Sequence, residues 1–459
     1  MSERLPIQIV GGGLVGSLLA VMLRRRGERV ALYESRPDPR DAQGAAGRSI
    51  NLIVTARGVH ALRSVGLWKR VESITVPVYG RTMHDLESRQ QFQPYGKDDG
   101  ERNYSVSRGG LNRYLLDAAE AAGVQIHFSH RLRRFDYEAN RLTFESDQAA
   151  VVEVEAGVVF GADGAGSQLR REWIQREGAE ESVEMLPQGY KEVEFPPAEG
   201  DRFRMDPKAL HIWPRGEFML MALPNPDGSF TGTLYMPFTG DSSFEQMADW
   251  DTLKGWFDRE FPDARQAIPD LQSEFFENPT GELGTVRCYP WSDGERLALI
   301  GDAAHAIVPF FGQGMNSGFE DCTILEELLD EHGGDWSKVF PAYQAERKPN
   351  SDAIADLALD NFVEMRSRVG DARFLLAKAI EHRLEQSYPT EYRSRYSMVV
   401  YSRIPYAICQ QAGRIQARLR ERWCDRVAEA DELDLEQAIE EVRAELTPFL
   451  ERHGVRLDY

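Results

Sequence analysis

Short apolar runs alternate with amphipathic stretches over the first third of the chain, the pattern of strands feeding helices. Residues 7–10 (IQIV) and 30–33 (VALY) are apolar runs of strand length. Between them, 14–26 carries apolar positions at helical spacing, with Gly27 placed to cap that helix. The same reading predicts a polar loop over 35–48, a helix over 56–71, a strand-like segment over 78–86 and a mobile loop over 97–102. An amphipathic helix over 111–122 should end at Gly123. Strands are expected over 124–128 and 151–160 with a hairpin between them, then a strand-to-glycine-to-helix transition over 161–170. This order predicts a parallel α/β sheet.

From 181 to 283 the pattern changes, with frequent prolines and strand formers over 218–223 and 231–238. Pro224, Asn225, Pro226, Asp227 and Gly228 make a turn between those two segments. A separate, mostly antiparallel sheet inserted into the α/β domain is expected here, a natural wall for a pocket. The run LALIGD over 297–302 reads as a buried strand, and Gly312, Gly314 and Gly318 straddle the start of a following helix. That helix carries Phe319, Cys322, Leu325, Leu328 and Leu329 on one face. Beyond 351 the chain reads as solvated amphipathic helices, with Ile415, Leu419 and Trp423, then Ile439, Val442 and Leu446, on their apolar faces. The expected division is a nucleotide-binding domain over 1–180 and 284–350, an inserted sheet domain over 181–283 and a helical domain over 351–459.

Composition narrows the partners. A net charge of -20 and a pI near 5.0 oppose nucleic acid and anionic membrane surfaces as partners. The 459 residues contain no apolar run of membrane-spanning length, and the first strand begins so early that no signal peptide is expected. Cys288, Cys322, Cys409 and Cys424 are scattered, which points to reduced thiols rather than a disulfide or zinc framework. A cytoplasmic protein is expected.

The chemistry begins with Gly11, Gly13 and Gly16, spaced G-x-G-x-x-G between the first strand and helix. The first glycine permits the tight turn, the second lets a pyrophosphate approach the backbone, and the third lets the helix sit close to the sheet. The helix N-terminus offers N–H groups to that pyrophosphate, and Glu34 ends the second strand where a carboxylate bonds an adenosine ribose. The turn around Gly314 repeats the device before a second helix. Asn361 and Glu364 share one helix face. His305, in the context AAHAIVP, reads as a structural hydrogen-bonding residue.

Three stretches together, GGGLVG with Glu34, GADGAGS around Asp163, and IGDAAHAIVPFFGQGMNSGFED, resemble the group A flavoprotein aromatic hydroxylases. The segments GRSINLIVTARG, SVSRGGLNRYLLDAAE, LHIWPRGEFMLMALPN, DNFVEMR and YSMVVYSRIPY narrow the likeness to the kynurenine-hydroxylating branch of that family. The resemblance implies a Rossmann-like FAD-binding domain, an inserted antiparallel β-sheet substrate domain and a C-terminal helical region. It implies tightly bound FAD, NADPH as co-substrate, and L-kynurenine and O2 as reactants, through a flavin C4a-hydroperoxide. It places Val15 and Glu34 at the adenosine end, Ile53, Arg108, Leu132, Asp163 and Gln168 along the cofactor, and Asp302, Gly314, Met315 and Asn316 near the ribityl chain and ring. Arg81 and Tyr95 would hold the substrate carboxylate, Asn361 and Tyr396 complete that end, and Phe311, Glu364 and Met365 line the pocket. Without the resemblance, Arg81 reads as a surface ion pair, and Tyr95, Asn361 and Tyr396 as packing residues. No acid, base or metal ligand is implied.

The stretch LRERWCDRVAEADELDLEQAIEEVRAELT departs from the apolar membrane anchor of eukaryotic members. A homodimer is compatible with the sequence, which does not set the number of copies. The rival readings are a hydroxylase of another aromatic acid, a flavin-dependent reductase that makes no use of O2, and a nucleotide-binding protein without redox chemistry.

Overall fold

The computed structural model describes residues 5–41, 50–178, 180–200, 202–365 and 371–457. Residues 42–48 of the expected polar loop lie outside the described residues. The chain forms two compact units, Met1–Ile74 with Val106–Met185 and Gly284–Ala355, and Thr75–Ser105 with Leu186–Leu283 and Asp356–Tyr459. Residues 75–105 and the C-terminal helices thus group with the inserted sheet, where the hydropathy pattern had divided the chain in three.

The first unit is built on a five-stranded parallel sheet in the order Leu297–Leu299, Val159–Gly161, Ile7–Val10, Val30–Tyr33, Gln125–His127. Four of these strands are buried along their whole length, which explains their unbroken apolar sequences. The helix Leu14–Arg25 follows the first strand and stops as expected, with Gly27 at φ +87° just beyond its end. The helix Arg108–Ala121 starts at Ser107, whose Oγ accepts the Gly110 N–H at 3.3 Å.

Three expectations about this part of the chain need correction. The helix over 56–71 is two helices, Ala56–Ser64 and Trp68–Glu72, because Gly66 at φ +70° ends the first. The strand over 151–160 is also two: Val151–Glu155 joins the antiparallel hairpin of His130–Asp136 and Arg141–Ser146, and Val159–Gly161 enters the parallel sheet. The segment over 78–86 divides at Tyr79, with Val76–Val78 paired to 103–105 and Gly80–His84 paired elsewhere.

A seven-stranded sheet runs in the order Gly281–Tyr289, Glu180–Phe195, Phe230–Pro237, Phe218–Pro224, Ala209–Arg215, Gly80–His84, Gln90–Pro94. From Glu180–Phe195 to Gln90–Pro94 its pairings are antiparallel apart from Ala209–Arg215 with Gly80–His84. The turn at 224–228 joins its strands as predicted, with Gly228 at φ +88°. The insert also holds three helices that the strand reading missed, Trp250–Glu260, Pro262–Ala267 and Leu271–Glu277. They bury Trp256, Phe257 and Phe261 with Phe195, Trp213 and Leu220 of the sheet in one core.

The C-terminal helices pack on one another. Leu419, Trp423, Ile439, Val442 and Leu446 are buried. Glu381 is buried among them, yet its carboxyl is held down to about 2. Burial alone would raise it, and Arg420 at 2.6 Å with Lys378 at 3.2 Å outweighs that.

Candidate active site

The first unit carries the nucleotide cradle at the carboxyl ends of its parallel strands, where ligands of open α/β sheets sit. Gly11 has φ +111°, and a Cβ there would stand 2.3 Å from the Ala162 carbonyl oxygen. A Cβ on Gly16 would stand 2.0 Å from the Gly11 carbonyl oxygen. The turn and the close helix therefore require these two glycines. Gly13 is different: nothing lies within 4 Å of its Cβ position, and no side chain caps the helix it begins. Gly164 and Gly166, after the neighbouring strand, open onto empty space in the same way. The first-turn amides beside Gly13 have no acceptor within their own helix and suit a pyrophosphate.

Glu34 is buried and ionised at the end of the second strand. Burial pushes its carboxyl up, and Arg36 and the Gly12 amide more than reverse this. Oε2 accepts the Gly12 N–H at 2.8 Å, and Oε1 accepts the Arg36 N–H and Nε–H at 2.9 Å. Oε1 is filled by the two Arg36 bonds and the Ser35 hydroxyl at 3.3 Å, whereas Oε2 keeps a lone pair for a ribose hydroxyl. Asp163 caps the helix Gln168–Glu177, taking the Ser167 hydroxyl at 2.5 Å and the Gln168 N–H at 2.8 Å, and burial raises its carboxyl. The Gln168 amide is engaged along its own helix by Glu172 and Arg171. Arg108 is exposed at the start of its helix, Leu132 is buried in the hairpin, and Asp302 is exposed directly after the last strand.

The two glycine turns meet at Val15. A Cβ on Gly301 would stand 3.0 Å from Val15 Cγ2, and one on Gly318 would stand 2.5 Å from it. The helix Gly314–Glu331 therefore lies directly against the start of the first helix. Asn316 locks the second turn in place. Its Nδ2 donates to the Ile53 and Gly312 carbonyls, both at 2.8 Å, and its Oδ1 accepts the Thr55 N–H at 2.9 Å. The side chain expected beside the cofactor is thus committed to the protein. The backbone amides of Gly314, Met315 and Asn316, at a helix start without a side-chain cap, are the groups that suit a flavin ring. Phe311 is buried in the one-turn segment Pro309–Phe311 that precedes this helix. Gly318→Ala should push the stiff Val15 against Gly301, at a cost of about 1–3 kcal/mol. The expected outcome is a lower Tm and less FAD retained on purification, read from the flavin absorbance.

A network of buried charges lies behind this turn. Arg57 Nε meets Glu320 at 2.8 Å, and Arg347 meets Glu320 and Asp321, each at 2.7 Å. Asp321 Oδ2 also bonds His305 Nε2 at 2.6 Å and accepts the Gly301 N–H at 3.0 Å. His305 is thus a buried hydrogen-bonding residue. The pattern reading missed Arg57, Glu320, Asp321 and Arg347. The available signal was two adjacent acids, Glu320 and Asp321, inside an otherwise apolar helical run.

The second unit brings Arg81, Tyr95 and Tyr396 into one cluster. Arg81 is half-buried, and its Nε donates to Gln93 Oε1 across the strand pair at 2.9 Å. The Tyr95 and Tyr396 rings stack with centroids 5.2 Å apart, and Tyr401 meets Tyr396 edge-on at 6.2 Å. Burial pushes the Tyr95 phenol up to about 12, with Arg81 acting the other way. Burial, then Tyr95, and more weakly Glu364 raise Tyr396 further. Both phenols are therefore neutral donors at physiological pH. Asn361 lies in the last turn of the long helix Trp336–Val363, and its Nδ2 donates to Met365 Sδ at 3.3 Å. A guanidinium beside two neutral phenols is a receptor for a carboxylate.

The FAD binding domain family model matches residues 4–358, and the chain belongs to this family of flavoproteins. Its similarity then narrows. It is 46% identical to a kynurenine 3-monooxygenase of Myxococcus xanthus over 98% of this chain and 97% of that one. It is 45% identical to a kynurenine 3-monooxygenase of Flavobacterium johnsoniae over 92% and 94% of the two chains. Within the flavoproteins, the chain belongs to the kynurenine 3-monooxygenase family.

Among solved structures, the tetrameric form of 2-methyl-3-hydroxypyridine-5-carboxylic acid oxygenase superposes with a TM-score of 0.66 at 19% identity, over 85% of this chain and 99% of that one. PqsL of P. aeruginosa in complex with 2-aminobenzoylacetate gives 0.65 at 21% identity, over 80% and 98%. These two likenesses concern the fold.

Proposed function

We propose that this chain is an FAD-dependent monooxygenase that hydroxylates L-kynurenine to 3-hydroxy-L-kynurenine with NADPH and O2. The observation that carries the reading is the meeting of Arg81 with two buried neutral phenols, in a chain matching kynurenine 3-monooxygenases along nearly its whole length.

In this reading the amides beside Gly13 hold the FAD pyrophosphate, Glu34 the adenosine ribose and Asp302 the ribityl chain. The amides after Gln313 would offer donors to the electron-rich end of the ring. Bound FAD supplies the activation of O2, drawing electrons from NADPH. Arg81 grips the substrate carboxylate through its guanidinium fork, while Tyr95, Tyr396 and Asn361 complete that end. Holding that end sets which ring carbon meets the oxygen, so this group acts by positioning. The substrate's own aromatic amine makes the neighbouring carbon electron-rich, so the scheme needs no protein acid or base at that carbon. Phe311, buried just before the second glycine turn, would keep water from the ring. A cytoplasmic setting belongs to the same reading. Its support is that no helix among the described residues is long and apolar enough to cross a membrane, and that Cys288, Cys322, Cys409 and Cys424 are all buried.

The test is mass analysis of the product formed from L-kynurenine, NADPH and 18O-labelled O2. The expected product is one labelled oxygen atom heavier, hydroxylated next to the ring amine. NADPH oxidation with no oxygenated product, or equal stimulation by a panel of other aromatic acids, would defeat the reading.

A further inference from the structure

We propose that Gln93 and Asn103 are positioning residues for the substrate carboxylate, acting through Arg81 and Tyr396. The inference rests on the reading that this cluster holds the carboxylate of an aromatic α-amino acid. Arg81 and Gln93 stand opposite each other in the antiparallel pair Gly80–His84 and Gln90–Pro94. The Arg81 Nε–H donates to Gln93 Oε1 at 2.9 Å. An arginine side chain has only donors, so this partner must be the amide oxygen. With Nε–H engaged, the plane of the guanidinium is set and the two Nη groups are left to a ligand.

Asn103 does the complementary task for the phenol. Its Nδ2 donates to the Tyr396 oxygen at 3.0 Å. That bond uses a lone pair of the phenol and so does not spend its O–H, the group a carboxylate would take. The strand Asn103–Ser107 buries Asn103 to 4% exposure and fixes it opposite Val78.

A second observation separates this role from ordinary packing. Each amide is used on one side only. Gln93 Nε2 and Asn103 Oδ1 are both buried and have no hydrogen-bond partner among the described residues. A buried polar atom left unpaired is a cost that an apolar residue of similar shape would avoid. Two such atoms, one on each amide touching the carboxylate cluster, mark side chains kept for the half that is bonded.

The test uses the FAD-loaded enzyme and the variants Asn103→Asp, Asn103→Leu and Gln93→Leu. L-kynurenine and its decarboxylated analogue are titrated by the change in flavin absorbance, and KM and kcat are measured with L-kynurenine. An Asp at 103 can only accept, so it draws in the Tyr396 O–H and adds a repelling charge. It should weaken L-kynurenine by about a hundredfold, and the two Leu variants by about tenfold. The loss should fall on Kd and KM rather than on kcat, and binding of the decarboxylated analogue should not change. Wild-type affinity for L-kynurenine in Asn103→Asp, or equal weakening of both ligands, overturns the inference. A wild-type enzyme that does not distinguish the two ligands overturns the underlying reading of the cluster as well.

Discussion

Replacing Arg347 with methionine should destabilise the protein by about 3–5 kcal/mol and strip it of FAD. Arg347 is fully buried and bonds Glu320 and Asp321, each at 2.7 Å, together with the carbonyl and hydroxyl of Ser317 at 3.2 and 3.1 Å. Methionine fills much of the same volume but removes the guanidinium that bridges the two buried carboxylates. Burial already pushes the Asp321 carboxyl upward, and His305 and Arg347 together hold it down. Without Arg347 the unpaired charge must be neutralised or hydrated, and either outcome opens the core. The damage reaches the cofactor because Asp321 Oδ2 accepts the Gly301 amide at 3.0 Å. Gly301 sits at φ +59° against Val15, so a loosened Asp321 frees the turn that carries Asp302.

Thermal unfolding and the flavin-to-protein absorbance ratio check this. The double variant Arg347→Met with Asp321→Asn should recover part of the lost stability, because it removes one stranded charge along with its partner. An Arg347→Met protein that melts like wild type and stays yellow would show that the network is dispensable.

What could be read from the sequence was local. Gly11, Gly13 and Gly16 carry their meaning within six residues, and so does the stop at Gly27. Buried parallel strands announce themselves as unbroken apolar runs, and IQIV, VALY and LAL were all legible. Features that depend on pairing between distant segments were not. The strands Gly80–His84 and Gln90–Pro94 join a sheet whose other strands begin a hundred residues later, and no local signal says so. Arg57 finds Glu320 across 263 positions. The helices over 250–277 were hidden by the prolines around them, although Leu253, Trp256 and Phe257 lie at helical spacing. In the site, residue types were legible and commitments were not. Asn316 looks like a ligand until its three bonds to Ile53, Gly312 and Thr55 are seen. Gln93 and Asn103 gave no sign of their place beside Arg81 and Tyr396.

Arg81→Ala should raise the KM for L-kynurenine by about a hundredfold, near 3 kcal/mol, while FAD stays bound. Arg81 makes one bond with Gln93, on the second unit's sheet, whereas the nucleotide cradle belongs to the first unit. Truncating it therefore removes the charge proposed to grip the carboxylate and leaves the first unit's glycine turns intact. The loss should be large because the remaining donors are neutral. Tyr95, held up at about 12, and Tyr396, higher still, each give a hydrogen bond but no charge to a carboxylate. Arg81→Lys should recover part of the affinity, since an ammonium restores the charge but not the planar fork, and it cannot meet Gln93 through an Nε–H. The order of KM values should be wild type, then Lys, then Ala. The decarboxylated analogue should bind all three proteins alike. An unchanged KM in Arg81→Ala, with normal flavin content, would remove Arg81 from the substrate site. A rise in KM accompanied by loss of FAD would mean that the residue supports the fold and not the ligand.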